Sequence, residues 1–150
     1  MTVPSGTRRY AKGHDYPHPS SPVASTIMRA NPSRDTGPEV RLRSALHRAG
    51  ARFRVHQSIR VDEGRPVIVD IAFPRRRVAV FLDGCFWHAC PEHGTIPKAN
   101  REYWEPKLRG NRQRDLETVN RLERAGWCAV RVWEHEDLDA ACARILRTIR

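Results

Sequence analysis

The chain has 150 residues, enough for one domain with a real core and too few to divide comfortably into two. Its 27 Lys and Arg against 17 Asp and Glu leave a net charge of +10, which points to a polyanionic partner, nucleic acid before any other. No run approaches the ~20 apolar residues of a membrane span, and the N-terminus lacks the charged-then-apolar layout of a signal peptide; this excludes a helical membrane protein and makes a cytoplasmic, nucleoid-associated location the expectation.

Residues 1–26 carry Pro4, Pro17, Pro19 and Pro22 among scattered Ser and Gly without an apolar period, the composition of a disordered leader to a domain spanning 27–150. Met28-Arg29 then precedes a turn-rich link. A Met beside an Arg is either a wedge into DNA or a hydrophobic anchor onto the core. A helix is predicted from Pro38 through Val40, Leu42, Ala45, Leu46 and Ala49 to Gly50, a natural stop. Its other face, with Arg41, Arg43, His47 and Arg48, is a solvated basic surface or a phosphate contact. Residues 53–55 and 58–61 read as one or two short strands before the turn at 62–66, and His56 is assigned no chemistry.

Residues 67–73 form an almost continuous apolar strand interrupted by Asp70. Carboxylates are rarely buried alone, so Asp70 either pairs with an arginine or holds a cation. After Pro74-Arg75-Arg76-Arg77, a second β-branched run, 78–82, ends at Gly84, where Cys85, Phe86, Trp87, His88, Cys90 and His93 follow. A buried strand thus delivers a site at its C-terminal end. Cys85-x4-Cys90-x2-His93 supplies thiolate and imidazole, the ligands zinc takes tetrahedrally, and needs one more. Cys128 and Cys142 read as reduced core thiols.

Beyond a loop at 95–100, residues 101–126 are helical, with Pro106 marking a fresh start or kink and Leu108, Leu116, Val119 and Leu122 as the apolar stripe. Lys107, Arg109, Asn111, Arg112 and Arg114 crowd its early part as a phosphate-binding surface. Residues 127–133 are a strand ending in Glu134-His135-Glu136, which makes His135 the candidate fourth zinc ligand. A covering helix occupies 137–150, and Trp104, Trp127 and Trp133 are assigned to the core. The order predicts an α/β layer fold, helices flanking a small mixed central sheet.

Over about residues 27–135 the sequence resembles the very-short-patch-repair (Vsr) family of DNA mismatch endonucleases. The resemblance rests on Met28-Arg29-Ala30 with Arg34-Asp35-Thr36, Asp70, Gly84-Cys85-Phe86-Trp87-His88, the run 107–115, and Gly126-Trp127 leading to Val132-Trp133-Glu134. It implies a restriction-endonuclease-like fold, catalytic magnesium (two ions), one structural zinc, and nicking of the thymine strand of a T·G mismatch in double-stranded DNA. It implies Asp70 as the metal-bridging carboxylate, His88 as the catalytic histidine and Asp115 as its supporting acid. Phe86 and Trp87 match an aromatic wedge opposed by Met28 from the other groove, and Lys107 and Asn111 match mismatch-reading positions. Where the family pattern has Thr-His before Gly-Cys, this chain has Leu82-Asp83; the Leu82 carbonyl can still bind magnesium, and Asp83 is a candidate extra ligand.

These residues suit phosphodiester hydrolysis: a cation at Asp70, proton transfer at His88 with its tautomer set by Asp115, and support from Glu39 on the first helix. His88 could instead ligate zinc, and Phe86 and Trp87 could instead pack in the core. A non-catalytic zinc-stabilised DNA-binding module and a restriction-like nuclease on unmismatched DNA are the alternative functions. The expected protein is a monomer that acts on mismatched duplex, with other repair proteins as possible partners.

Overall fold

The computed structural model describes residues 7–9, 15–17, 34–85, 88 and 90–150. Within the stretch expected to be a disordered leader, β1 (Thr7–Arg9) and β2 (Asp15–Pro17) pair antiparallel. The main sheet contains β3 (Arg54–Ile59), β4 (Val67–Phe73), β5 (Val78–Asp83) and β6 (Cys128–Trp133), in that spatial order. The first two junctions are antiparallel and the last is parallel, so the mixed sheet is as predicted. A single 3-10 turn, Pro74–Arg76, joins β4 to β5 and closes on Arg77 in the left-handed region at φ 51°. Parallel β5 and β6 need a long crossover, and α2 (Arg101–Arg124) lies in it.

The strand period of two sorts the side chains of β5 and β6 onto two faces, while in β4 the faces exchange at Asp70, so that Val67 and Val69 lie on the opposite face from Ile71 and Phe73. Val78, Val80, Ile71, Phe73, Val130 and Val132 form one core with α1 (Gly37–Arg48) and α3 (Leu138–Thr148), centred on Leu42, Leu46 and Ile145. Val67, Val69, Ala72 and Ala79 face the other side, against Leu122 of α2. The sheet is therefore covered on both faces.

Two helices differ in detail from the sequence expectation. On α1, Val40 is 50% exposed and Ala49 is also exposed, while Glu39 is buried with Leu42, Ala45 and Leu46. Glu39 is drawn inward because it closes a capping box: the Thr36 backbone N–H donates to its Oε2 at 2.7 Å, and the Glu39 N–H reaches Thr36 Oγ1 at 3.5 Å. On α2, Leu116 is 56% exposed. At about 100° per residue, the inward stripe of Trp104, Leu108 and Leu122 passes through position 115, not 116. The helix continues through Pro106 without a fresh start. The stretch 53–61 contains one strand, and His56, in the left-handed region at φ 47°, stands opposite Asp70 between the pairs Val55↔Ile71 and Gln57↔Val69.

Leu46 is fully enclosed in the core under α1. Leu46→Ala is expected to lower unfolding stability by about 2–5 kcal/mol. A urea midpoint equal to that of the wild-type protein would show that this helix does not depend on the core.

Candidate active site and metal centre

The parallel register Asp83↔Trp133 makes β5 and β6 leave the sheet at the same edge. The segment that follows each strand therefore arrives in the same place. Asp70 of β4 lies beside that edge, and its Oδ2 accepts the Leu82 backbone N–H at 2.7 Å. Ladder pairing between β4 and β5 runs from Phe73↔Val78 to Ile71↔Val80, so Leu82 lies past it and gives its N–H to a side chain instead.

The ligand atoms of Cys85, Cys90, His93 and His135 all lie within 4.8 Å of one another. His135 Nδ1 is 3.1 Å from Cys85 Sγ and 3.7 Å from Cys90 Sγ, and its ring centroid is 4.3 Å from that of His93. Glu92 Oε2, 3.3 Å from His135 Nε2, occupies the other ring nitrogen and leaves Nδ1 facing the thiols. Glu134 fixes the loop by accepting the Cys85 N–H at 2.9 Å. Both cysteines are free thiols. Burial, reinforced by the neighbouring Cys90 thiol, pushes the Cys85 thiol up to about 11. Two sulfurs and two ring nitrogens converging in this way are compatible with a metal, and the donor set is the one that suits a closed tetrahedral site.

A second group is built from carboxylates. Burial raises Asp70 to about 6; the Leu82 N–H opposes that rise, while the negative charges of Glu39 and Asp83 add to it. Hard oxygen donors whose mutual repulsion disfavours ionisation are what a small divalent cation relieves, so Asp70 with Glu39 nearby fits such an ion. His56, assigned no chemistry from the sequence, is close enough to lower Asp70 slightly, and its Nε2 lies 3.2 Å from Asp35 Oδ1.

His88 stands between two carboxylates. Its Nδ1 is 2.6 Å from Asp115 Oδ2 and its Nε2 is 3.5 Å from Asp83 Oδ1. Burial works against the imidazolium, but Asp115 and then Asp83 outweigh it and hold the His88 pKa above its ordinary value. Arg131 of β6 places Nε 2.5 Å from Asp83 Oδ2 and Nη2 3.5 Å from Asp115 Oδ2. Asp83 is nonetheless raised, because burial outweighs the attraction of His88 and Arg131.

Lys107, Asn111 and Asp115 follow one another at i, i+4 spacing along α2, so the proposed mismatch-reading residues share a row with the acid that meets His88. Lys107 Nζ lies 6.0 Å from the Tyr103 ring centroid, and Asn111 Oδ1 accepts from Arg114. Met28, Phe86 and Trp87 lie outside the described residues. Cys128 is exposed, contrary to expectation: it shares the inward parity of Val130 and Val132, but it is the first residue of β6, where that face is open. Trp104 is buried, as expected, whereas Trp127 and Trp133 are only half-buried. Sequence reasoning missed Arg131, Glu92 and Glu134 as partners. Alternation marks Arg131 as a charge within the apolar run 127–133, and that was the available signal for it.

A family model described as DNA mismatch endonuclease Vsr matches residues 20–92. The type II nicking enzyme V.NaeI of Lentzea aerocolonigenes is 47% identical over 142 residues, covering 95% of this chain and 85% of that protein. The type II nicking enzyme V.XorIIP of Xanthomonas oryzae is 41% identical, covering 79% and 86%. The DNA mismatch endonuclease Vsr of Escherichia coli is 37% identical, covering 73% and 68%. With these relatives the non-catalytic binding module falls away. The edge of the sheet that gathers carboxylates, histidines and thiols belongs to a DNA endonuclease, and the chain is a member of the Vsr family.

Proposed function

We propose that this endonuclease nicks the thymine-bearing strand of a T·G mismatch in double-stranded DNA, uses magnesium at Asp70, and thereby starts very short patch repair. The observation that carries the reading is the His88–Asp115 pair at 2.6 Å at the sheet edge that also holds the half-buried strand carboxylate Asp70, an arrangement that a DNA-binding module has no need of.

Hydrolysis requires an activated water, stabilisation of charge on the phosphate, and departure of the 3′ oxygen; magnesium supplies Lewis acidity for these when bound. The protein's own residues do the rest. Asp70, with one oxygen fixed by the Leu82 N–H, would anchor the cation, with Glu39 as a supporting carboxylate and the Leu82 carbonyl as the further oxygen donor. Asp115 holds His88 through Nδ1, which sets the tautomer; Nε2, facing Asp83 Oδ1 at 3.5 Å without a hydrogen bond to it, is the nitrogen that takes or orients the water's proton. Cys85, Cys90, His93 and His135 would hold one zinc, whose role would be structural.

Recognition is assigned to the wedge. A T·G pair stacks and fits less well than a normal pair, so opening the duplex there costs less, and that difference is selectivity. Phe86 and Trp87 enter from one groove and Met28 from the other, Lys107 and Asn111 test the exposed base edges, and arginines hold the phosphates.

Asp70→Ala is expected to abolish nicking of a T·G duplex in saturating magnesium while binding the duplex about as well as wild type. Wild-type protein should nick that duplex only with magnesium and leave the matched duplex intact. Equal cleavage of both duplexes would favour a restriction-like enzyme, and normal nicking by Asp70→Ala would remove Asp70 from the mechanism.

His135→Ala should lose stability and zinc content together. Metal analysis of the purified full chain checks this; a native protein without zinc would refute the ligand assignment.

Trp87→Ala should lower the T·G over T·A nicking ratio by at least ~10-fold, since a lost stacking contact is worth about 1–3 kcal/mol. Arg109→Ala should instead weaken binding to both duplexes and flatten its salt dependence. An unchanged ratio in Trp87→Ala would mean that the mismatch is read by other residues.

A further inference from the structure

Asp83, read from the sequence as a candidate magnesium ligand, has a side chain only 7% exposed, with a nitrogen of Arg131 or His88 facing each oxygen as a charge contact, Oδ2 having no partner in hydrogen-bond geometry. Oδ2 lies 2.5 Å from Arg131 Nε and Oδ1 lies 3.5 Å from His88 Nε2. The same guanidinium reaches Asp115 Oδ2 at 3.5 Å, on the other side of the His88 ring. Arg131 is itself held: its Cζ lies 5.3 Å from the Trp133 ring centroid, and its carbonyl accepts from Arg144 Nη2 at 2.7 Å. A fork of fixed geometry therefore touches the two carboxylates that flank one imidazole.

We propose that Arg131 is a positioning residue for strand cleavage: by bridging Asp83 and Asp115 it locks the carboxylates on both sides of His88 and so fixes the ring that handles the proton. Asp83 belongs to this lock and is not a magnesium ligand. The inference rests on the reading of His88 as the proton-transfer group, and it adds the cation that lets two carboxylates crowd that ring without repelling each other. A lysine cannot do the same, because one ammonium presents no planar fork.

The test uses the full chain carrying Arg131→Met, Arg131→Lys, Asp83→Asn, or Asp83→Asn with Arg131→Met. For each, the single-turnover nicking rate, the duplex Kd and the magnesium midpoint are measured. His88 ring-nitrogen resonances are recorded without DNA or magnesium. Arg131→Met is expected to slow nicking by on the order of 10- to 100-fold, the usual effect of removing a residue that orients a site group. The Kd and magnesium midpoint should stay within about 3-fold, and the His88 resonances should shift from one tautomer toward a mixture. Arg131→Lys should recover little of the rate.

Leaving Asp83 buried without its cation invites misfolding of Arg131→Met, so the double variant, which removes both charges, carries the same expectation of slow nicking. Wild-type rates in the double variant, or wild-type rates and resonances in Arg131→Met, would overturn the proposal. So would a loss confined to Kd, which would make Arg131 a phosphate contact, or a magnesium midpoint raised more than about 10-fold in Asp83→Asn, which would make Asp83 a metal ligand. Failure of the underlying reading looks different: wild-type protein leaves the T·G duplex intact, and the positioning role is then judged on the His88 resonances alone.

Discussion

The parallel pairing of β5 with β6 is the constraint on which the rest of the site depends. With Asp83 opposite Trp133, the two strands end level, and the loop after each begins at the same edge of the sheet. Cys85 and His135, fifty positions apart in the chain, are thereby brought to 3.1 Å. The same crossover places α2 across the sheet, with Leu122 in the core and Asp115 about two turns earlier on the inward stripe, where it meets His88. A shift of one residue in the β5–β6 register would reverse the faces of one strand relative to the other and separate these groups together.

That edge concentrates negative charge. Asp70, Asp83, Asp115 and Glu39 would be an unstable set if left alone, because burial and mutual repulsion both disfavour the ionised form. The protein offsets them one at a time. Glu39 is held by the Thr36 N–H, Asp70 by the Leu82 N–H, and Asp83 and Asp115 by Arg131 and His88. Asp70 keeps the weakest compensation, one backbone N–H against burial and two neighbouring carboxylates, and is raised to about 6. The deficit is located where a divalent cation would be most strongly favoured.

Much of this arrangement was legible in the sequence, and the reasons are specific. Apolar runs broken by one carboxylate or ended by Gly84 marked β4 and β5, because a buried strand tolerates little else. The thiols and imidazoles after β5 asked for a fourth ligand, and the run 127–133 was the remaining strand whose end carried one. The failures were of two kinds. Val40 and Leu116 are apolar residues near the right faces, and periodicity alone could not show that Glu39 and Asp115 occupy the inward positions, since a polar residue turns inward only when a partner awaits it. The bridge from Arg131 to Asp83 and Asp115 joins β6, β5 and α2, so no local pattern could announce it.

One further consequence comes from chain order. His88 lies inside the segment bounded by Cys85 and Cys90, whose ends are tied by the Cys90 N–H to the Cys85 carbonyl at 2.9 Å and by the His88 N–H to the Gly84 carbonyl at 3.2 Å. Phe86 and Trp87 belong to the same six-residue segment. A metal gripped by Cys85 and Cys90 would therefore brace the segment that carries His88, the proposed proton-transfer residue. A free loop of this size would sample many backbone states, and ordering each residue costs about 1–2 kcal/mol. Anchoring both ends before DNA arrives removes much of that cost from the binding step. The thiol–imidazole group and the His88–Asp115 pair are thus distinct in donor atoms but mechanically continuous, with Arg131 contacting the carboxylates on either side of the histidine ring and the cysteine loop holding its backbone.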